Sequence, residues 1–327
     1  MGLDPAVASI RSAVRAVLTG PVLVACSGGA DSLALAAAIA FEAPRHGVRA
    51  GLVTVDHGLQ PGSAEQAGRV ATLGYELGLD PVEVVTVSVG RSGGREAAAR
   101  AARYGALDAA GAAFDCDIAL GHTLDDQAET VLLGLGRGSG PRSVAGMRTR
   151  TGRYLRPLLG VRRATTEAAC AALGLEPWHD PHNADRSLQR VRLRQEVLPL
   201  LEDVLQGGIA EALARTAELL RDDLDALDGL ASVIMHDASR LPAAVHDHDG
   251  TGLGVAALAE LPRALRTRVL RSWALACGAA EVTSVHTAAL DALVTGWHGQ
   301  GPLDLPGGLR VSRASGRLVA APPHPQE

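Results

Sequence analysis

The chain has 327 residues, 47% hydrophobic and 20% charged, with a formal net charge of −5 at pH 7. That length accommodates two domains and a sizeable core, and the balance is that of a soluble globular protein, not a disordered or fibrous one. Aromatic residues are only 2% and lysine is absent, which speaks against an extended aromatic platform for bases and leaves arginine as the whole basic inventory.

In chain order, "MGLDPAVASIRSAVRAVL" lacks the basic segment, apolar core and cleavage site of a secretion signal. Its Val7, Ile10, Val14 and Leu18 share one face of a predicted helix. "VLVAC" reads as a buried strand and "SLALAAAIAFEA" as a helix. The pattern repeats as strand 50–57, helix 63–78, strand 81–89, helix 94–114, strand 116–122 and helix 123–136. This alternation predicts an α/β, Rossmann-like fold, a parallel sheet with helices on both faces. In such sheets ligands sit beyond the carboxyl ends of the strands. The polar clusters Ser27 to Ser32, Asp56-His57 and His122 to Glu129 fall at such ends.

From 137 to 163 the chain carries Arg137, Arg142, Arg148, Arg150, Arg153, Arg156, Arg162 and Arg163 and no acid. A helix "TTEAACAALGL" follows, then a second basic cluster at Arg186, Arg190, Arg192 and Arg194. These clusters, Arg137, Arg142, Arg190, Arg192 and Arg194 in particular, are expected to meet RNA phosphates; a solvated basic face is the plainer alternative. An amphipathic helix at 209–230, helices near 262–276 and 283–296, and a hairpin-like "GPLDLPGGLRVSRASGRLVA" complete the chain. The expected organisation is a nucleotide domain at 1–203, a helical linker at 204–232 and a small, mostly α C-terminal domain at 233–327. Cys26, Cys116, Cys170 and Cys277 form no Cys-x-x-Cys pair, and no apolar run reaches membrane-spanning length. A cytoplasmic protein with no membrane partner is expected.

The stretch "VLVACSGGADS" (22–32) places a glycine turn between strand and helix. Such a turn turns backbone N–H groups and a helix N-terminus towards an anion, a phosphate above all. It is not the usual GxxxxGK[ST] loop, since there is no lysine to supply. A tight turn capped by Asp31 and Ser32 is the plain alternative. Against phosphates, the Asp31 carboxylate makes chemical sense if Mg²⁺ bridges them.

"SGGADS" resembles the PP-loop of the N-type ATP pyrophosphatases, which cleave ATP between its α- and β-phosphates and activate an oxygen as its adenylate. "VDHGL", "REAAARAARYGAL", "GHTLDDQAETVLLGLGRGSG", "VAGM", "RPLL" and "DPHNADRSLQRVRLRQEVLPLL" follow in that order. Together they resemble the tRNA(Ile)-lysidine synthetase family over roughly the first 200 residues, with "LPGGLRVSR" a weaker match near the end. His182 stands where the family usually has serine, and Ala30 where valine is common. Longer family members also carry a second small C-terminal domain. The resemblance implies ATP and Mg²⁺ as cofactors, and free lysine and an isoleucine tRNA with anticodon CAU as substrates. The wobble cytidine would be adenylated on its 2-oxo group, lysine would attack the ring carbon, and AMP would leave. A homodimer is compatible with this reading.

The resemblance also implies site residues. Ser27, Gly28, Gly29, Ala30, Asp31, Ser32, His57 and Arg100 would meet ATP, with Asp31 on the metal. Asp126 and Glu129 would hold the lysine, and His122 would line the same pocket. Asp126 and Glu129, three apart on a helix, share a face. Asp125 and Asp126 also suit the helix dipole without any ligand. Arg103, Tyr104 and Cys26 read as structural. Two alternatives stay open: a sulfur-inserting tRNA thiolase, against which the unpaired cysteines argue, and a nucleotide-binding module without catalysis.

Overall fold

The run Val22–Ala25 is buried along its whole length because both of its faces are covered. Val22 and Val24 enter one apolar layer, and Leu23 and Ala25 enter another. In the computed structural model, which describes residues 3–58, 62–90, 94–138, 140–178, 185–236 and 252–321, this run is the central strand of a six-stranded sheet.

The elements are α1 (Pro5–Arg15), β1 (Val22–Ala25), α2 (Ala30–Glu42), β2 (Ala50–Asp56), α3 (Ser63–Glu76), β3 (Val82–Thr86), α4 (Arg95–Ala113), β4 (Asp117–Leu120), α5 (Leu124–Arg137), α6 (Pro141–Val144), β5 (Arg150–Thr151), β6 (Tyr154–Leu155) and α7 (Arg163–Leu173). Beyond them lie α8 (Gln189–Arg192), a π-helical turn over Leu193–Val197, α9 (Leu198–Val204) and α10 (Ile209–His236). α1 starts where Asp4 accepts the amides of Ala6 and Val7 and Pro5 fills the first turn. Its Val7, Ile10, Val14 and the following Leu18 are buried, as the helical spacing predicts.

The sheet order is β3-β2-β1-β4-β6-β5. β1 pairs in parallel with β2 on one side and β4 on the other, Ala25 standing opposite both Val53 and Leu120. The chain runs outward from β1 to β3 and returns to add β4 on the other flank, so the strand order reverses at β1 and opens a crevice beyond its carboxyl end. α1, α2 and α7 pack on one face with Val22, Val24 and Ala119; Leu107 and Ala110 of α4 cover the other with Leu23, Val53 and Ile118. The expected parallel sheet with two helical layers is therefore present. The antiparallel pair β5–β6 was not expected; its strands are two residues long and too short to show a period.

The chain divides into two compact units, Met1–Gly136 with Gly146–Ala217, and Arg137–Ala145 with Glu218–Glu327; the division falls within α10. The second unit holds α11 (Val255–Ala259), α12 (Arg263–Ala276), α13 (Ser284–Thr295) and a four-stranded antiparallel sheet. That sheet is built from β7 (Gly252–Gly254), β8 (Leu303–Asp304), β9 (Arg310–Ala314) and β10 (Arg317–Ala321), in the order β7-β10-β9-β8. The hairpin expected at the end is the β9–β10 pair, and Trp273, Leu253, Leu258 and Leu318 fill the core beneath it.

Candidate active site

The loop after β1 is held by its own atoms. Ser32 Oγ accepts the Ser27 amide at 3.2 Å and donates to the Gly29 carbonyl at 2.9 Å. Gly28 has φ +85°, a backbone conformation that favours glycine, and a Cβ there would also push the end of the Gln66 side chain aside. On the facing strand, a Cβ on Gly121 would lie 3.0 Å from the Asp31 backbone, so that glycine lets the end of β4 approach the loop. The amides of Gly29, Ala30 and Asp31 have no acceptor among the described residues, and they open α2. Three free donors at the N-terminus of a 13-residue helix make an anion site.

Behind the loop is a cluster of charge. Thr123 and Asp126 exchange hydrogen bonds at the start of α5: the Thr123 amide donates to Asp126 Oδ2 at 2.8 Å, and the Asp126 amide donates to Thr123 Oγ1 at 3.4 Å. Asp126 thus caps its helix with one oxygen and turns the other inward. There Arg163 meets Asp126 Oδ1 at 2.7 Å, Asp31 Oδ2 at 3.2 Å and Glu129 Oε1 at 3.7 Å. Arg194 donates to Glu129 Oε1 at 2.8 Å and lies 3.5 Å from Asp126 Oδ1; Arg190 is 3.7 Å from Glu129 Oε2. The Glu129 side chain is fully buried. Burial works against the charge on Asp126, but Arg163 and the Thr123 amide outweigh it and hold its carboxyl below the usual range. Asp31 is the opposite case. Burial pushes its carboxyl up, against the pull of the Thr166 hydroxyl hydrogen bond and of Arg163.

Among the described residues no group of three or more His, Cys, Asp or Glu side chains could by itself cage a metal ion. That suits Mg²⁺, which is held by one or two carboxylates together with phosphate oxygens and water. Asp31, part-buried beside the free loop amides with Arg163 on its Oδ2, is the carboxylate that fits.

Two of the cavities around the loop share part of their lining. One, of about 290 Å³, is lined by Ser27, Gly29, Val53, Asp56, His57 and Trp178 among others. The second, of about 760 Å³, reaches Asp31, His122, Asp126, Arg163, Cys170 and Arg194. Arg103 and Trp178 line both. The Trp178 amide donates to the Gly28 carbonyl at 2.8 Å, which straps the 174–178 segment onto the loop. His122 lines the larger cavity with its Nδ1 buried and without a hydrogen-bond partner among the described residues. Burial lowers its pKa to about 4, against the pull of Asp126, so the ring is neutral.

The crevice therefore brings together the Ser27 to Ser32 loop, His57, His122 and Asp126, with Glu129 buried behind Asp126. It does not include Arg100, which is exposed and rests on the Tyr104 ring 4.8 Å from its centroid. Arg103, expected only to be structural, is the arginine of that helix that faces the cavities. Asp125 is occupied elsewhere: it accepts the Arg163 amide at 2.7 Å and pairs with Arg162 at 3.2 Å, anchoring the start of α7. Of the basic residues, Arg137 is exposed, Arg142 pairs with Asp228, and Arg192 pairs with Glu196 at 3.3 Å while mostly exposed. His182 lies outside the described residues. Arg163, Thr166, Arg103 and Trp178 are the site residues that sequence reasoning did not reach.

Residues 6–201 match the PP-loop domain family and residues 253–319 the TilS substrate binding domain. The tRNA(Ile)-lysidine synthase of Thermobifida fusca is 56% identical, over 98% of this chain and 99% of that protein. That of Streptomyces coelicolor is 52% identical over 98% and 99%, and that of Mycobacterium tuberculosis 53% over 89% and 86%. The U34-tRNA thiolase NcsA from Methanococcus maripaludis superposes with a TM-score of 0.56, over 66% of this chain and 78% of that one, at 19% identity, which is a likeness of fold alone. A PP-loop match across most of the first unit, with relatives 52% and 56% identical over nearly the whole length, establishes that the chain belongs to the tRNA(Ile)-lysidine synthase family.

Proposed function

We propose that the protein joins free lysine to carbon-2 of the wobble cytidine of a CAU-anticodon isoleucine tRNA in the cytoplasm, consuming ATP and releasing AMP and pyrophosphate. The observation that carries this reading is one crevice lined by both a lysine-free phosphate loop and Asp126, with Glu129 buried directly behind it against Arg163 and Arg194. A nucleotide-binding module has no use for that pair. A thiolase needs a cysteine set, and Cys26, Cys116, Cys170 and Cys277 form no Cys-x-x-Cys pair.

The nucleoside of ATP occupies the smaller cavity between His57 and Trp178, and its phosphates lie on the amides of Gly29, Ala30 and Asp31. Arg103, between the cavities, meets the phosphate chain in the place that the resemblance gave to Arg100. Asp31 would hold Mg²⁺, which when bound would supply charge neutralisation for the leaving pyrophosphate. The cytidine O2 attacks the α-phosphorus and pyrophosphate leaves. The lysine Nζ then attacks C2 and AMP carries O2 away.

Asp126 and Glu129 bind the lysine ammonium. Before attack the amine must lose a proton, which costs roughly 4–5 kcal/mol at pH 7 for a group with a pKa near 10.4. His122, neutral and held to about 4, is a poor store for that proton. Its free Nδ1 serves instead as an acceptor that orients an amine N–H along the attack line. The exposed Arg137, Arg142 and Arg192 meet tRNA phosphates, and the second unit reads the tRNA away from its anticodon.

The test is product analysis with ATP, lysine and a transcript of the CAU-anticodon isoleucine tRNA. AMP release is expected only with both lysine and tRNA, with one pyrophosphate per AMP. ADP as a product, or AMP release indifferent to lysine, would overturn the reading.

A further inference from the structure

Of the oxygens that would receive a lysine ammonium, Glu129 Oε2 alone has no hydrogen bond among the described residues, and the others are already in use. Asp126 Oδ2 caps α5, and Asp126 Oδ1 is held by Arg163 at 2.7 Å. Glu129 Oε1 is held by Arg194 at 2.8 Å, with Arg163 at 3.7 Å, and Arg190 stands 3.7 Å from Oε2. Asp31 Oδ2, which would face a metal, is held by Arg163 at 3.2 Å. Three carboxylates face three guanidiniums, so the cluster is neutral. An ammonium entering it gains no net attraction, and to reach Asp126 Oδ1 or Glu129 Oε1 it must displace a guanidinium that is then left part-buried and unpaired.

Of the three arginines, Arg163 alone touches all three acids. Its position is unusual in a second way. It is the first residue of α7, where the helix dipole disfavours a cation, and its own amide is spent on Asp125. The side chain is only 19% exposed, yet it lines the same cavity as Ser27, Gly29 and Ala30 of the phosphate loop. A planar guanidinium binds phosphate as well as it binds carboxylate, by the same paired N–H donors. The nearest anion that could repay Arg163 for leaving the acids is the phosphate chain on that loop.

We propose that Arg163 is an exchangeable counter-ion: it neutralises Asp31, Asp126 and Glu129 until ATP arrives, then transfers to the phosphates and so opens the acids to the lysine ammonium. This rests on the reading of Asp126 and Glu129 as the lysine site. It makes Arg163 a positioning residue that couples the two substrates. Lysine binds well only after nucleotide, and a protein without nucleotide does not hold lysine in a futile complex. No bond is made or broken in the exchange; one guanidinium moves from carboxylates to phosphates, and one ammonium takes its place.

Coupling of this kind is reciprocal, so it can be read from either ligand. Equilibrium dialysis of labelled lysine against the full-length protein, with and without Mg²⁺ and α,β-methylene-ATP, measures it directly. Wild type is expected to bind lysine about tenfold or more tightly with the analogue, and lysine to tighten the analogue by the same factor, within the usual range for coupled sites. Arg163→Ala should bind lysine with nearly one affinity in both states and should bind the analogue more weakly. Arg163→Lys keeps the charge but loses the fork, so its coupling should fall between the two; it decides the matter if the alanine variant does not fold. Equal lysine affinity in the two wild-type states would overturn the exchange while leaving the lysine site intact. Wild-type coupling preserved in either variant would overturn the assignment to Arg163. Failure of wild type to bind lysine in either state would overturn the site reading beneath it.

Discussion

The phosphate loop and the acid cluster share a crevice and are prepared for their ligands in opposite ways. The loop spends its bonds on itself: the Ser32 hydroxyl ties Ser27 to Gly29, and the amides of Gly29, Ala30 and Asp31 are left over. Nothing has to break before an anion arrives, which is what preorganisation means for binding. Asp126 and Glu129, by contrast, are committed to Arg163 and Arg194 at 2.7 and 2.8 Å. There a new contact replaces an old one at every carboxylate oxygen but Glu129 Oε2. The difference follows from the solvation of the two sets of groups. A backbone amide at a helix start can face water at little cost, whereas a buried carboxylate must have a partner at all times. The side of the crevice that awaits a cation therefore has to carry cations of its own.

The largest expected effect breaks the junction between the two regions. Asp31→Asn removes the one carboxylate that touches both the loop and Arg163. Pyrophosphate release should fall by about 10³-fold, the scale of losing a preorganised electrostatic contact to a transferring group. Binding of tRNA, measured by filter retention, should be unchanged. Activity within tenfold of wild type would take Asp31 out of the metal–phosphate arrangement.

The next effect sharpens the electrostatics of the cluster. His122 has a folded pKa of about 4, below its ordinary value of 6.5. The unfolded chain therefore binds a proton there that the folded chain refuses, and stability must decline as pH falls from 6.5 towards 4. The loss amounts to about 2–3 kcal/mol by pH 4.5. Asp31, whose carboxyl burial raises, acts with the opposite sign at the acid end of this range, so only a difference is informative. Urea unfolding at pH 7 and pH 4.5 should show a smaller loss for His122→Gln than for wild type. Parallel losses would mean that His122 is solvated.

Adjacent acids separate binding from scaffolding. Glu129→Gln should raise the lysine KM by about 30-fold, close to 2 kcal/mol, and leave the ATP KM within about threefold. Asp125→Ala, three to four residues away, should leave the lysine KM alone. It removes the acceptor of the Arg163 amide and the partner of Arg162, and should cost about 1–2 kcal/mol of stability in thermal unfolding. If Asp125→Ala shifts the lysine KM as much as Glu129→Gln does, the division of labour within "LDDQAE" is wrong.

The sequence was most legible where the physics is local. A buried strand, a glycine turn and a helix start announce the phosphate loop within eleven residues, and the alternation of periods announces the sheet. The cluster was half legible. Asp126 and Glu129 share a helical face, but their partners come from 163, 190 and 194, and a sequence period carries no information across such separations. Arg163 was one of eight arginines between 137 and 163. Its one local signal is that Arg162-Arg163 opens a helix, against the dipole, and so needs a tertiary acid to explain it. Trp178 had a similar hint, as the sole aromatic between Tyr154 and Trp273. Arg100 and Arg103 could not be told apart, since which of two arginines on one helix faces a cavity depends on the phase at which α4 packs on the sheet.

Trp178 tests the wall between the two cavities. Its indole lines both, and its amide is bonded to the loop. Trp178→Ala should raise the ATP KM by about tenfold, the scale of losing one base-stacking aromatic, with kcat changed less. Trp178→Phe should recover most of this. Adding ATP to wild type should change the tryptophan emission, and Trp178→Phe should abolish that change because the other two tryptophans, Trp273 in the core and Trp297 beneath Arg313, belong to the second unit. An emission change that survives in Trp178→Phe would place the nucleotide elsewhere.

The smallest effect compares two arginines two residues apart. Arg192 is 61% exposed and paired only with Glu196, a surface pair of small worth. Arg194 is turned inward onto Glu129. Both belong to one basic run in the sequence, yet only Arg192 is free to serve RNA without disturbing the acids. Arg192→Ala should weaken tRNA binding severalfold and lower the slope of log affinity against log salt by about 0.7, the increment for one phosphate contact on a single strand. Its lysine KM should match wild type. Arg194→Ala should do the reverse: the lysine KM changes because Glu129 has lost its strongest partner, and the salt slope stays. Arg192→Ala with an unaltered slope would remove this helix from the RNA path, and a slope change in Arg194→Ala would mean that the tRNA itself draws this arginine off Glu129.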